Sequence, residues 1–211
     1  MENATARQQW EAAAPGWARW EPTIATWMGP ATEVMLAMAG VEVGARVVDL
    51  ASGAGSQTLL AAQRVGSDGE VVANDIADTM LRHVEGKARS AGLSNVTTVL
   101  GAAEELNLTA GSFDAVVCRV GLMLFVEPAT ALAAMHRALR PGGSWQRWCS
   151  RRRRPTRSWP SRCRSCCVTR ERRHRSRGDP GSSHWVVREW FSGCWLMPAS
   201  SRSSSAQCRR H

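Results

Sequence analysis

The chain has 211 residues, 27 of them basic and 18 acidic, for a formal net charge of +9. That length allows one ordinary domain with a real core and a short appendage. It holds no apolar run near the ~20 residues a membrane helix needs, and "MENATARQQWEAAAPGW" lacks the basic and apolar regions of a secretory signal.

The averages mix two unlike parts. Residues 1–143 carry 10 basic and 15 acidic side chains, whereas residues 144–211 carry 17 arginines, no lysine and 3 acids. Six of the seven cysteines and six of the ten tryptophans also fall after residue 143. The body keeps one cysteine, Cys118, which points to a reducing, cytoplasmic setting.

In chain order, residues 4–39 have helical spacing, with Trp10, Trp17, Trp20, Trp27 and the Val34/Met35/Met38 group forming apolar stripes. Breaks are expected at Pro15-Gly16 and Gly29-Pro30. The tryptophans fit core and lid packing better than a cofactor box. From Arg46 the pattern alternates. "RVVDLA", "GEVVANDI", "NVTTVLG" and "SFDAVVCRV" read as strands. "QTLLAAQRV" and "TMLRHVEGKARSAG" read as helices between them, the second capped by Asp78 and ended at Gly92. "EPATALAAMHRALRPGG" reads as a helix opened by Glu127-Pro128 and closed by Gly142-Gly143. Strands separated by such helices imply βαβ units and a parallel sheet. A fifth strand is due near residue 144, but no apolar run is written there.

The chemistry concentrates in Asp49-Leu50-Ala51-Ser52-Gly53-Ala54-Gly55. A strand ends, glycines permit a tight turn, and a helix begins with its N–H groups free. The third glycine of a dinucleotide-binding G-x-G-x-x-G is missing, because Thr58 occupies that position. Asp75 adds more. It ends the second strand, and in a doubly wound sheet that end opens on the same crevice, where a carboxylate can accept both hydroxyls of a ribose.

Together, "VVDLASGAGSQTLLAA", "VVANDIADTML", "VTTVLGAAEEL", "SFDAVVCRVGLMLFVEP" and "ALRPGG" resemble, in order and spacing, the class I S-adenosylmethionine-dependent methyltransferases. The chain is most similar to the branch related to ubiquinone/menaquinone-biosynthesis C-methyltransferases, over residues 10–143. The resemblance implies S-adenosylmethionine as cofactor and a small-molecule methyl acceptor. It places Asp49, Ala51, Gly53 and Gly55 against the methionine part, Asp75 on the ribose and Ile76 beside the adenine. Ala102, Ala103 and Glu104 then lie in the loop under the adenine, and Arg119 opens a segment bordering cofactor and acceptor. Ala51 stands where glycine is usual, and Ala102 where an aspartate often supplies a hydrogen bond to the adenine amino group. No catalytic base is identified. His83 and His136 fall on helices in packing or surface roles.

Residues 144–211 contain six Val, Ile, Leu, Met or Phe in 68, too few for a core. Cys163, Cys166, Cys167 and His174 lack the paired spacing of structural zinc sites, so no metal is expected. The arginines alone suit a nucleic-acid arm on a degenerate cofactor domain, but a nucleic-acid partner is not expected. The single codons of tryptophan and methionine favour another origin. Read from the last base of each codon plus the first two of the next, Trp145-Gln146 must encode Ala and Trp148-Cys149 must encode Val. Residues 144–150 then permit the apolar run "LAAVVF". A one-base shift near codon 144 is therefore expected.

The expected organisation is an N-terminal helical cap over 1–40, a Rossmann-like domain over 41–143 and a disordered, out-of-frame tail over 144–211. The fold class is α/β, a doubly wound, mostly parallel sheet left incomplete after its fourth strand. Activity of the chain as written is expected to be impaired. A nucleotide-dependent oxidoreductase is the weaker enzymatic rival, and the sequence carries no signal for oligomeric state.

Overall fold

The computed structural model describes residues 2–149, 167–175 and 183–191. The chain opens with helix α1 (Asn3–Ala39) and then alternates: β1 (Arg46–Leu50), α2 (Ser56–Val65), β2 (Glu70–Asp75), α3 (Asp78–Ser90), β3 (Val96–Leu100), β4 (Phe113–Arg119) and α4 (Pro128–Ala138). Strand β5 (Leu139–Cys149) follows at once, then β6 (Cys167–Arg175) and β7 (Ser183–Phe191). The sheet order is β3-β2-β1-β4-β5-β6-β7. The first five strands pair in parallel, while β6 and β7 are antiparallel additions. No described helix is long and apolar enough to cross a membrane.

Strand alternation makes the core. Val47, Val71, Ala115 and Val117 meet Met35 and Leu36 of α1 and Ala61, Ala62 and Val65 of α2 on one face. Val48, Leu50, Val116 and Cys118 meet Met135 and Ala138 of α4 on the other. Because the chain leaves β1 for β2 on one side and returns to β4 on the other, the loops after β1, β2 and β4 flank a topological switch point.

Four expectations need correction. First, α1 is not broken at Pro15-Gly16 or Gly29-Pro30. Pro15, Pro22 and Pro30 all lie inside it, each an exposed residue whose ring faces away from the core. Second, Asp78 does not cap α3. The N-cap is Ala77, and the N–H groups of Asp78 and Thr79 donate to the Glu11 carboxylate of α1 at 2.5 and 3.2 Å. Third, α4 ends at Ala138. Pro141 holds its predecessor extended, and residues 140–143 form a bulge within β5, between the pairs Phe113↔Leu139 and Ala115↔Ser144.

Fourth, the sheet does not stop at β4, nor is residue 144 the start of a structureless tail. Trp145 is 1% exposed, packed among Val116, Met135 and Leu139, so past the bulge one large apolar side chain joins Leu139 in anchoring the strand. Strands β6 and β7 extend the sheet beyond it. Arg151–Arg154, Cys163 and Cys166 lie outside the described residues.

Candidate functional site

The loop from β1 to α2 takes three left-handed residues: Ala51 at φ 51°, Gly53 at 55° and Gly55 at 96°. Gly55 is needed for proximity as well as for its dihedral, since a Cβ there would lie 3.1 Å from the Val84 side chain on α3. Ala51 is a strained residue. A Cβ on Gly121, just past β4, would lie 2.5 Å from the Ala51 Cβ and 2.8 Å from Cys118 Sγ. The two loops thus touch through a glycine. Burial pushes the Cys118 thiol up to about 12, so it is no nucleophile at neutral pH.

Asp75 ends β2 nearly buried. Its carboxylate oxygens accept the Gly53 N–H at 2.9 Å and the Ala77 N–H at 3.0 Å, leaving each oxygen acceptor capacity toward the cavity. Burial raises its pKa, against the pull of the backbone N–H donors of Ala77, Gly53 and Ile76. Neighbouring Asn74 donates to the carbonyls of Val99 and Gly101 at 3.0 and 2.9 Å, which fixes the loop carrying Ala102 and Ala103. Glu104 accepts the N–H groups of Val126 and Glu127 at 2.9 and 3.0 Å and so holds the segment after β4.

Asp49 lies behind this surface. It is completely buried, accepts from Gln57 Nε2 and from Thr58 Oγ1, the latter at 2.7 Å, and does not line the cavity. Gly55 does not line it either. The other expected site residues, Ala51, Gly53, Asp75, Ile76, Ala102, Ala103, Glu104 and Arg119, do. Burial lifts the Asp49 carboxyl to about 7 from an ordinary 3.8, outweighing its hydrogen bonds and the nearby Arg119 charge. The folded state therefore binds a proton in that interval that the unfolded chain releases. Asp49's stabilisation is complete below its unfolded pKa and is lost as pH rises through the folded value. Relative to wild type, Asp49→Asn is expected to gain about 5 °C in Tm between pH 4 and pH 8. Parallel pH dependences in thermal denaturation would contradict this.

Arg119 reaches from β4 to Thr32 Oγ1 of α1 (2.8 Å) and Ser56 Oγ of α2 (2.7 Å). Burial lowers its pKa, and the charges of Asp49 and Glu21 oppose that.

The wall contributed by α1 was not read as a site from the sequence. Trp10, Trp17, Glu21, Ile24 and Met28 all line the cavity. Their spacings of 7, 4, 3 and 4 form one helical stripe, a signal that the expected chain breaks hid. Trp10 packs against the core cluster of Ala14, Ala54, Ala77 and Met80, but the other three tryptophans of α1 are not core residues. Trp17, Trp20 and Trp27 are 41, 59 and 70% exposed, while the Trp10 and Trp17 rings lie 6.0 Å apart, tilted by 51°. Lys87 of α3 ties the parts together, with Nζ 2.6 Å from Glu21 and 2.7 Å from the Ala54 carbonyl.

These walls enclose about 480 Å³, a volume ordinary for a small-molecule site. The donor set fits a nucleoside with a polar, zwitterionic arm. Asp75 can accept a diol, and Ser52 Oγ and Gln57 Oε1, both buried and lining the cavity, have no partner among the described residues. Neither His83 nor His136 lines it.

Comparisons with known proteins agree. Residues 47–143 match the family described as "Methyltransferase domain". A ubiquinone/menaquinone biosynthesis C-methyltransferase UbiE of Idiomarina loihiensis is 41% identical over 105 residues, 49% of this chain and 42% of that protein. The counterpart from Marinomonas is 37% identical over 109 residues. The chain thus spans less than half the length of these relatives. Among solved structures, an arsenic(III) S-adenosylmethionine methyltransferase from Chlamydomonas reinhardtii is 32% identical at a TM-score of 0.50, covering 55% of this chain and 42% of that one. A SAM-dependent methyltransferase from Aquifex aeolicus, 22% identical at a TM-score of 0.54 over 61% of this chain and 68% of that one, shares the fold. Glycine loop, strand-end carboxylate and these likenesses converge: residues 47–143 form a class I S-adenosylmethionine-dependent methyltransferase domain of the UbiE-like branch.

Proposed function

We propose that this chain transfers a methyl group from S-adenosylmethionine to a small apolar acceptor carrying a quinone-like ring, in a reducing cytoplasm. The observation carrying the cofactor half is Asp75, whose oxygens face the cavity with acceptor capacity to spare after binding Gly53 and Ala77. They suit the two ribose hydroxyls. Ile76 then lies beside the adenine, Ala102 to Glu104 beneath it, and Ala51 to Gly53 along the methionine arm, where Ser52 and Gln57 find partners. Asp49 acts indirectly, holding Gln57 and Thr58 at the start of α2.

When bound, the cofactor supplies a methyl group on an already cationic sulfur. The chain's own share is alignment and exclusion of water. Gly121 packed on Ala51 sets the spacing of the two loops, and Leu124, Phe125 and the α1 tryptophans exclude water. The acceptor half rests on that apolar wall and on the C-methyltransferase relatives. Titration calorimetry is expected to show micromolar binding of S-adenosylmethionine and none of NAD. NAD binding without S-adenosylmethionine binding would return the chain to the oxidoreductases.

A second reading concerns the segment from residue 144. Strand β5 buries Ser144 and Gln146 at 4 and 0% exposure, and Ser144 Oγ and Gln146 Oε1 have no hydrogen-bond partner among the described residues. Unsatisfied polar atoms in a central strand cost about 1–3 kcal/mol each. The neighbouring frame replaces them with an apolar run, which supports a one-base shift near codon 144 and an activity impaired in the chain as written. Resequencing codons 140–150 tests it. An unshifted gene, with no gain in Tm when the apolar run is installed, would end that reading.

A further inference from the structure

Resting on the ring-acceptor reading above, we infer that Glu21 is the anchor for a hydroxyl group on the acceptor ring, and that it selects hydroxylated over masked rings. Glu21 is the one carboxylate in a stripe whose other cavity-lining members from Trp10 to Met28 are apolar or aromatic. Its side chain is only 14% exposed. A carboxylate placed there loses water that an apolar residue would not miss, so its retention needs a partner.

Lys87 is half of that partner. Its ammonium lies 2.6 Å from Glu21 Oε2 and is also held by the Ala54 carbonyl. This fixes the carboxylate, while Oε1 has no hydrogen-bond donor among the described residues. Asp75 and Glu104, the other carboxylates lining the cavity, both bind backbone N–H groups. Arg119, whose charge Glu21 influences, is engaged by Thr32 and Ser56. Glu21 is therefore the acidic group with a free oxygen on the aromatic wall. A planar ring against Trp10, Trp17 or Trp27 would present an edge hydroxyl to Oε1, a charge-assisted hydrogen bond in a partly desolvated site. The family match covers residues 47–143 and leaves α1 outside it, so this choice of acceptor belongs to the chain's own N-terminal helix.

The test uses two probes of the same ring, 2-naphthol and 2-methoxynaphthalene, measured by calorimetry on the full chain. Wild type is expected to bind the naphthol at least about tenfold tighter, the effect of one hydrogen bond to a charged acceptor. Glu21→Gln, whose amide oxygen still accepts from Lys87 and keeps α1 docked, is expected to bring the two affinities within about threefold by weakening the naphthol alone. Lys87→Met breaks the ion pair but leaves the carboxylate, and should preserve the preference. Equal affinities in wild type, or a preference that survives Glu21→Gln, would overturn the assignment while leaving the ring-acceptor reading intact. Binding of neither probe would overturn both.

Discussion

Replacing Asp75 by alanine is expected to weaken S-adenosylmethionine binding by about 100-fold or more. Two hydrogen bonds from ribose hydroxyls to an ionised, nearly buried carboxylate disappear together, each contributing roughly 1.5–3 kcal/mol. The substitution also strands the N–H groups of Gly53 and Ala77, so part of the loss comes through the glycine loop. Asp75→Asn separates the two effects. Its side-chain oxygen keeps one backbone partner, and the expected loss is about tenfold. Because burial raises the Asp75 pKa, wild-type affinity should also decline on acidification earlier than an ordinary surface carboxylate would dictate. Calorimetry across pH reads all three. Wild-type affinity in the alanine variant would remove Asp75 from the site.

Gly121→Ala is expected to cost about 2–3 kcal/mol of stability, lowering Tm by about 5–10 °C, with a tenfold loss of cofactor affinity. The added methyl has nowhere to go. It would lie 2.5 Å from the Ala51 Cβ and 2.8 Å from Cys118 Sγ, and Ala51 already holds a left-handed φ of 51°. Adding Ala51→Gly removes one of the two clashes and the strained dihedral, so the double variant should recover part of both losses. Additive effects would show that the two loops are not coupled.

Much of this was legible in the sequence, and the exceptions have physical causes. Strands β1 to β4 announced themselves through apolar runs, Asp75 through its place at a strand end, and Gly53 through the glycine turn that follows β1. Asp49 looked like a cofactor contact because motif position fixes which strand end a residue occupies, not whether its side chain points forward or back. Strand β5 was missed because its buried apolar residues, Leu139 and Trp145, are separated by the Arg140–Gly143 bulge and form no apolar run. Glu21 was missed because Pro15-Gly16 and Gly29-Pro30 suggested separate pieces. Burial on the opposite side keeps them one helix, and only a continuous helix brings Trp10, Glu21 and Met28 into line.

Those prolines have a further consequence. They divide α1 into stretches of 12, 6, 7 and 9 residues, none longer than the ~12–15 at which a helix begins to hold itself together in water. The helix therefore depends on the surface beneath it. In refolding, the outer wall of the cavity should be the last part to gain protection from hydrogen exchange, and on heating the first to lose it.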